Sequence, residues 1–123
     1  MALQESLKCG TVELLLLTLL QDGDMYGYQL SQELCLRSYG LYKLQESSMY
    51  PILYRLLDKK MISDRQERVG KRRMRVYYHL EPQGQEYLFS LRQDYLALTR
   101  GVLHILDVND IKEMAPYEED CNR

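Results

Sequence analysis

The fold is decided by the stretch MISDRQERVGKRRMRVYYHL, residues 61–80. It contains two segments of β-forming residues, 61–68 and 73–80, separated by a turn at 69–72. Polar and apolar side chains alternate in the second segment: one face holds Met74, Val76, Tyr78 and Leu80, and the other holds Arg73, Arg75, Tyr77 and His79. Such alternation is typical of a hairpin that packs on one side only. The stretch therefore predicts a basic β-hairpin.

Three helices are predicted before this hairpin. Apolar residues recur at helical spacing in residues 11–21 and 26–37. The Asp-Gly-Asp run at 22–24 ends the first helix, and Gly40 turns the chain after the second. A basic hairpin after three helices is typical of the wing of a winged helix-turn-helix domain.

The third helix is predicted to begin at Ser47 or Ser48 and to continue to Lys60, because serine is a good N-cap. With Ser48 as the cap, Pro51 falls in the first turn. Its missing N–H costs little at that position.

A long last helix is predicted from Pro82 to about Leu106. Its apolar residues have the 3-4-3-4-3 spacing of a coiled-coil seam. These residues are Leu88, Leu91, Tyr95, Leu98, Val102 and Ile105. Leu96 and Leu103 widen the apolar face beyond one stripe. So small a domain has too little surface to cover this face, which favours a homodimer interface; the alternative is a core helix of a monomer.

The predicted fold class is therefore mainly α with a small β-hairpin: a winged helix-turn-helix domain plus a long C-terminal dimerisation helix. We assign residues 1–81 to the domain, 82–108 to the dimerisation helix and 109–123 to an acidic tail. The length of 123 residues agrees with one folding unit.

Charge is distributed unevenly along the chain. The net charge is −2, yet residues 55–75 hold nine basic and three acidic residues, a local charge of +6 that leaves −8 for the rest. A basic patch on an acidic body orients a molecule towards a polyanion. This pattern indicates a nucleic acid as the partner.

Several other classes of protein are disfavoured. The longest apolar run, 14–20, is too short to cross a membrane, and the N-terminus has no secretory signal, so we expect a cytoplasmic protein. Three cysteines without a CxxC pair indicate neither a disulfide framework nor zinc, and His79 and His104 are not at metal-ligand spacing. No catalytic or phosphate-binding motif is present, so we predict no enzyme activity, cofactor or metal.

Four segments in register resemble the PadR-like family of bacterial winged-helix regulators. They are MYGYQL at 25–30, SMYPILYRL at 48–56, KMIS at 60–63 and RVYYHLEPQG at 75–84. The resemblance covers roughly residues 10–88, and the single long C-terminal helix is similar to that of the short subfamily.

The sequence departs from the family pattern at three points. Tyr26 stands where the family often has His, and Glu81 replaces a Thr cap at the start of the last helix. The chain also has no Trp, on which some short members stack aromatic ligands.

The resemblance implies duplex DNA as the partner. A third helix inserted in the major groove brings its N-terminal part near the bases, with Arg55 suited to a guanine edge, while wing cations suit the backbone or a narrow minor groove. The predicted DNA-binding residues are Tyr26, Tyr28, Ser47, Ser48, Tyr50, Pro51, Tyr54, Arg55, Lys71, Arg72, Arg73 and Arg75. The alternatives are core packing for Tyr28, Tyr50 and Tyr54, and a solvated charge run for the wing.

The predicted function is a homodimeric, sequence-specific transcriptional repressor that binds a pseudo-palindromic operator. A small-molecule effector, or another signal, would release it by changing the distance between the recognition helices. The alternative is a protein-interaction module built on a winged-helix scaffold. Substituting the wing arginines distinguishes the two, because only DNA binding requires them.

Overall fold

The computed structural model describes residues 10–108, which form four helices and a three-stranded antiparallel sheet. In chain order the elements are α1 (Val12–Gln21), β1 (Met25–Tyr26), α2 (Gly27–Arg37), α3 (Glu46–Asp58), β2 (Ile62–Val69), β3 (Arg73–Leu80) and α4 (Pro82–Leu106). The predicted winged helix-turn-helix fold, its long C-terminal helix and the order of the elements are confirmed. The acidic tail predicted at 109–123 lies outside the described residues.

The core is formed where α1, α2 and α3 meet the inner face of the sheet. Its fully buried members come from each of these elements and include Leu16, Leu17, Leu30, Met49, Leu53, Leu56 and Ile62. On β3, Tyr78 is buried and Val76 and Leu80 are half-buried, so the predicted inner face of the hairpin is confirmed for these three residues. Met74 is exposed because it lies near the tip, beyond the reach of the helices.

The sheet has the strand order β1-β3-β2. The hairpin pairs Ile62 with Leu80 at its base and Val69 with Arg73 at its tip. Gly70 has a φ of +80° in the connecting turn, a conformation that glycine adopts without a steric penalty. The sequence analysis missed β1, because a two-residue strand has no periodicity of its own.

The start of α3 differs from the prediction. Its N-cap is Gln45, whose side chain makes no cap hydrogen bond, and the helix begins at Glu46. The preceding residue is fixed by a tertiary contact, since the Ser31 hydroxyl donates a hydrogen bond of 2.6 Å to the Leu44 carbonyl. This anchor starts the helix one turn earlier than Ser48 would, so Pro51 lies inside the helix, where it cannot donate to the carbonyl of residue 47.

The first turn of α4 lies directly on the backbone that leads into β2. The Glu81 N–H donates to the Met61 carbonyl at 3.0 Å. A Cβ atom added to Gly84 would lie 2.0 Å from the same Met61 oxygen. Only glycine allows this approach, which ties the last helix to the base of the hairpin.

Two further observations bear on the sequence analysis. Cys35 is buried on α2 and is disulfide-bonded, so the prediction that the cysteines form no disulfide is wrong for this residue. Cys9 and Cys121 lie outside the described residues. Within residues 10–108, no helix is long and apolar enough to span a membrane.

Replacing Gly84 with Ala is expected to destabilise the fold. The new methyl group would overlap a backbone carbonyl that cannot rotate away, which should cost about 2–3 kcal/mol of unfolding free energy. Gly101→Ala is the matched control, because nothing lies within 4 Å of a Cβ there and the helix should gain up to about 1 kcal/mol. Urea unfolding followed by circular dichroism measures both, and equal stability of the two variants would contradict the close approach.

Candidate nucleic-acid interface

The solvent face of α3 is formed by residues one helical turn apart. Ser47, Pro51 and Tyr54 lie at its centre, and all three are exposed. Tyr50 lies on one flank and is half-buried, while Arg55 lies on the opposite flank and is exposed. We call these five residues, together with exposed Ser48, the recognition face. It contains every α3 residue that the sequence analysis assigned to the interface.

Two tyrosines form a ridge along this face. The rings of Tyr50 and Tyr54 stack with centroids 6.1 Å apart and planes inclined by 16°. The Tyr50 hydroxyl donates to Glu46 Oε2 at 3.1 Å, and burial, followed by this hydrogen bond, raises the pKa of Tyr50. Tyr54 is 61% exposed, so the core alternative is wrong for this residue. Tyr50 packs partly against the core, so Tyr54 is the tyrosine of this ridge that is available to a ligand.

The wing, comprising β2, β3 and their turn, carries three cations at its tip that have no acidic partner among the described residues. Lys71, Arg72 and Arg73 are exposed, and none of them forms a salt bridge with any residue in the range 10–108. Their charges are therefore available to an anion.

Arg75 is held more firmly than its neighbours on the wing. Its guanidinium lies 4.2 Å from the centroid of the Tyr26 ring, a cation–π contact. Tyr26 in turn meets Tyr77 edge to face, with centroids 5.4 Å apart. The contact joins the wing to the start of α2, so Arg75 and Tyr26 have a structural role in addition to the one predicted for them.

A groove runs between the wing and the helix-turn-helix. It is lined by Tyr26, Tyr28, Glu46, Arg73 and Arg75. Tyr28 is exposed and its hydroxyl accepts a hydrogen bond from Gln32 Nε2 at 2.7 Å, which excludes core packing for this side chain. The sequence analysis missed Glu46, because a lone carboxylate at the start of a helix resembles ordinary stabilisation of the helix dipole.

Part of the positive stretch is neutralised on the outer face of the sheet. Arg65 forms salt bridges with Asp24 and with Glu67, and its guanidinium lies 5.3 Å from the Tyr77 ring centroid. His79 Nδ1 lies 2.7 Å from Asp24 Oδ1. The hydrogen bond to His79, and then that to Arg65, holds the pKa of Asp24 below its ordinary value. Arg65 therefore has a structural role on the outer face of the sheet.

The long helix α4 divides its apolar residues between two environments. Leu88 is buried in the core of its own domain, and Leu91 is half-buried. Four of the residues predicted for the dimer interface are exposed: Tyr95, Leu98, Val102 and Ile105. Leu98 is 71% and Ile105 87% exposed, and Phe89 and Leu96 add apolar surface. No other element within residues 10–108 therefore covers the outer part of α4.

The sequence profile of the PadR-like transcriptional regulators matches residues 16–90, more than half of the chain. The chain belongs to the PadR-like family of transcriptional regulators. An uncharacterized protein of Lysinibacillus sphaericus is 29% identical over 86 residues, which are 70% of this chain and 79% of that protein.

Solved structures of PadR-like regulators have the same fold. A PadR-like transcriptional regulator from Bacillus cereus is 27% identical, with a TM-score of 0.72 over 85% of this chain and 99% of that one. A transcriptional regulator from Clostridium thermocellum is 28% identical, with a TM-score of 0.71 over 80% and 95%. Bacillus subtilis PadR, solved in complex with operator DNA, is 24% identical with a TM-score of 0.60, and this chain covers 47% of it. At that identity the likeness concerns the fold.

The Asp24 cluster should stabilise this PadR-like protein above acidic pH. Because the folded state lowers the pKa of Asp24, its contribution is present above the ordinary value of 3.8 and is lost as pH falls through the folded value. Asp24→Asn should therefore lower the unfolding free energy at pH 7 by about 1 kcal/mol, and the difference from wild type should shrink below pH 4.

Urea unfolding at pH 7 and at pH 3 tests this expectation. Asp94→Asn is the control, since Asp94 is exposed on α4 and makes no salt bridge with any other described residue. A difference between Asp24→Asn and wild type that persists unchanged at pH 3 would show that the carboxylate charge is not responsible.

Proposed function

We propose that this PadR-like protein binds duplex DNA sequence-specifically as a homodimer and represses transcription until a signal releases it. The observation that carries the proposal is that the recognition face lies beside the tip of the wing, where Lys71, Arg72 and Arg73 form no salt bridge with any residue in the range 10–108. A helix with exposed hydroxyls and rings suits base edges in the major groove, and the neighbouring cations suit phosphates. Membership of a family of transcriptional regulators supports the same function, which would be exercised in the cytoplasm.

The division of labour within the interface follows from the side chains. Ser47, Ser48, Pro51 and Tyr54 would contact bases, with Tyr50 supporting Tyr54 through their ring stack. Lys71, Arg72 and Arg73 would contact phosphates or a narrow minor groove. The contact between Arg75 and Tyr26 would fix the position of the wing relative to α2. Tyr28, exposed beside them, would contribute a hydroxyl to the backbone.

A homodimer is supported by the uncovered outer part of α4. Leu98, Val102 and Ile105 recur at seam spacing and expose most of their surface within one chain. Pairing this helix with that of a second copy would bury them and present two recognition faces related by a two-fold axis. The half-sites of the operator should then be about 10 base pairs apart, or a multiple of that distance. A signal that shifts the paired helices would change this spacing and release the DNA.

DNA binding should depend strongly on salt. If the dimer neutralises roughly six to ten phosphates, the plot of log affinity against log salt should have a slope of about −5 to −9. The measurement is fluorescence anisotropy with duplex DNA from upstream of the protein's own gene, beside a scrambled duplex, at several salt concentrations. Weak binding to both duplexes without salt dependence would favour the protein-interaction alternative.

Removing wing cations that have no acidic partner within residues 10–108 should make this slope less negative. Arg72→Ala combined with Arg73→Ala removes four charges from a dimer, so the slope should become less negative by about 3 to 4, with at least roughly tenfold weaker binding. Arg65→Ala is the matched control, because Arg65 already has two acidic partners. If Arg65→Ala weakened binding as much as the double substitution, the assignment of the wing would be wrong.

The dimer interface is tested separately. Leu98→Glu combined with Ile105→Glu should produce a folded monomer, because charges cannot be buried against an apolar partner helix, and DNA affinity should fall at least roughly tenfold. Gln93→Glu adds one negative charge per chain at an exposed position on another side of α4 and should leave the dimer intact. Sedimentation equilibrium reports the mass, and a dimeric double variant would place the interface elsewhere.

A further inference from the structure

One carboxylate joins three helices behind the recognition face. Glu13, on α1, is 15% exposed, and each of its oxygens faces a different helix. Its Oε1 accepts a hydrogen bond of 2.5 Å from the hydroxyl of Tyr87 on α4. Its Oε2 lies 3.8 Å from Nη2 of Arg55 on α3. The carboxylate therefore links the long helix to a residue of the recognition face.

The two contacts differ in strength. The bond from Tyr87 is short, and donation to Glu13, with some burial, raises the pKa of Tyr87. The contact with Arg55 is at the outer limit of a salt bridge, and the Arg55 side chain is 55% exposed. Exposed ion pairs of this kind are weak. Glu13 is thus fixed from the side of α4 and attracts Arg55 only loosely.

Arg55 has a stronger potential partner in DNA. A guanidinium forms bidentate bonds with a phosphate or with a guanine edge. Glu13 competes for the same guanidinium, so the position of this carboxylate affects how readily Arg55 turns to DNA. We expect the short Tyr87 bond to Oε1 to keep the carboxylate from approaching Arg55 more closely than 3.8 Å, and the loss of this bond to permit a closer approach.

We propose that Glu13 is a positioning residue that restrains Arg55 from DNA, and that Tyr87 limits this restraint from α4. The inference rests on the proposed DNA-binding function and extends it by a physical link between the long helix and one predicted base contact. A movement of α4 that breaks the Tyr87 bond would strengthen the salt bridge and weaken DNA binding.

Two substitutions should change DNA affinity in opposite directions. Glu13→Gln keeps an oxygen for the Tyr87 hydroxyl but loses the charge that attracts Arg55, so the dimer should bind roughly twofold to fivefold more tightly. Its salt slope should become more negative by about 1 to 2. Tyr87→Phe keeps the ring but releases the carboxylate towards Arg55, so binding should be roughly threefold weaker. A merely structural role would weaken binding in both variants.

Two controls isolate the role of Arg55. Glu33→Gln removes the same charge from an exposed salt bridge with Arg37 on α2 and should change the affinity less than about twofold. In an Arg55→Ala background, both Glu13→Gln and Tyr87→Phe should lose their effect, because the group they act on is absent. Fluorescence anisotropy with the duplex from upstream of the protein's own gene measures the affinity of all variants, and urea unfolding checks that each is folded.

The outcomes separate this inference from the proposed function. Salt-dependent operator binding by the wild type, with opposite shifts that vanish without Arg55, supports both. Binding by the wild type with unchanged affinity in Glu13→Gln, or shifts that persist without Arg55, overturns the inference alone. Failure of the wild type to bind any duplex overturns both. If Glu13→Gln does not fold, Tyr87→Phe decides: binding equal to wild type overturns the inference.

Discussion

The pairing of β1 with β3 is the constraint on which the candidate interface depends. Only two residues take part, Met25 opposite Tyr78 and Tyr26 opposite Tyr77. The pairing inserts Met25 into the core and turns Tyr26 outward, where Arg75 covers its ring. Because β1 leads directly into α2, it fixes the wing relative to the helix-turn-helix. Without it, a two-stranded hairpin would be held mainly at its base.

The positively charged residues of the wing differ in their partners according to their distance from the β1–β3 pairing. Near the paired strands, Arg65 and His79 share the carboxylate of Asp24, so their interactions stabilise the sheet. Towards the tip, Lys71, Arg72 and Arg73 extend beyond any acidic side chain of the described chain. The same sequence stretch therefore supplies a structural network at one end and unpaired positive charge at the other. A charge count alone does not separate these two uses.

The long helix α4 connects the domain with the surface beyond it. Gly84 and Leu88 attach its first turns to the base of the hairpin and to the core. Tyr87, between them, reaches Glu13 on α1. Further along, Leu98 and Ile105 are exposed, with no cover from the other described elements. Because α4 is one continuous helix, a displacement of its outer part would also act on its first turns.

The sequence by itself determined the elements and most of the candidate surface. Strong periodicities predicted the four helices and the hairpin, because a helical or alternating pattern is a local property of the chain. The family resemblance placed the serines, tyrosines and Arg55 of α3 at the predicted interface, and all of them except the half-buried Tyr50 are exposed. Tertiary structure decided what depends on distant partners: the strand β1, the start of α3 at Glu46 through the Ser31 bond to Leu44, and the pairing of Arg65 and Arg55 with carboxylates. Such contacts join residues far apart in the chain, and no local pattern encodes them.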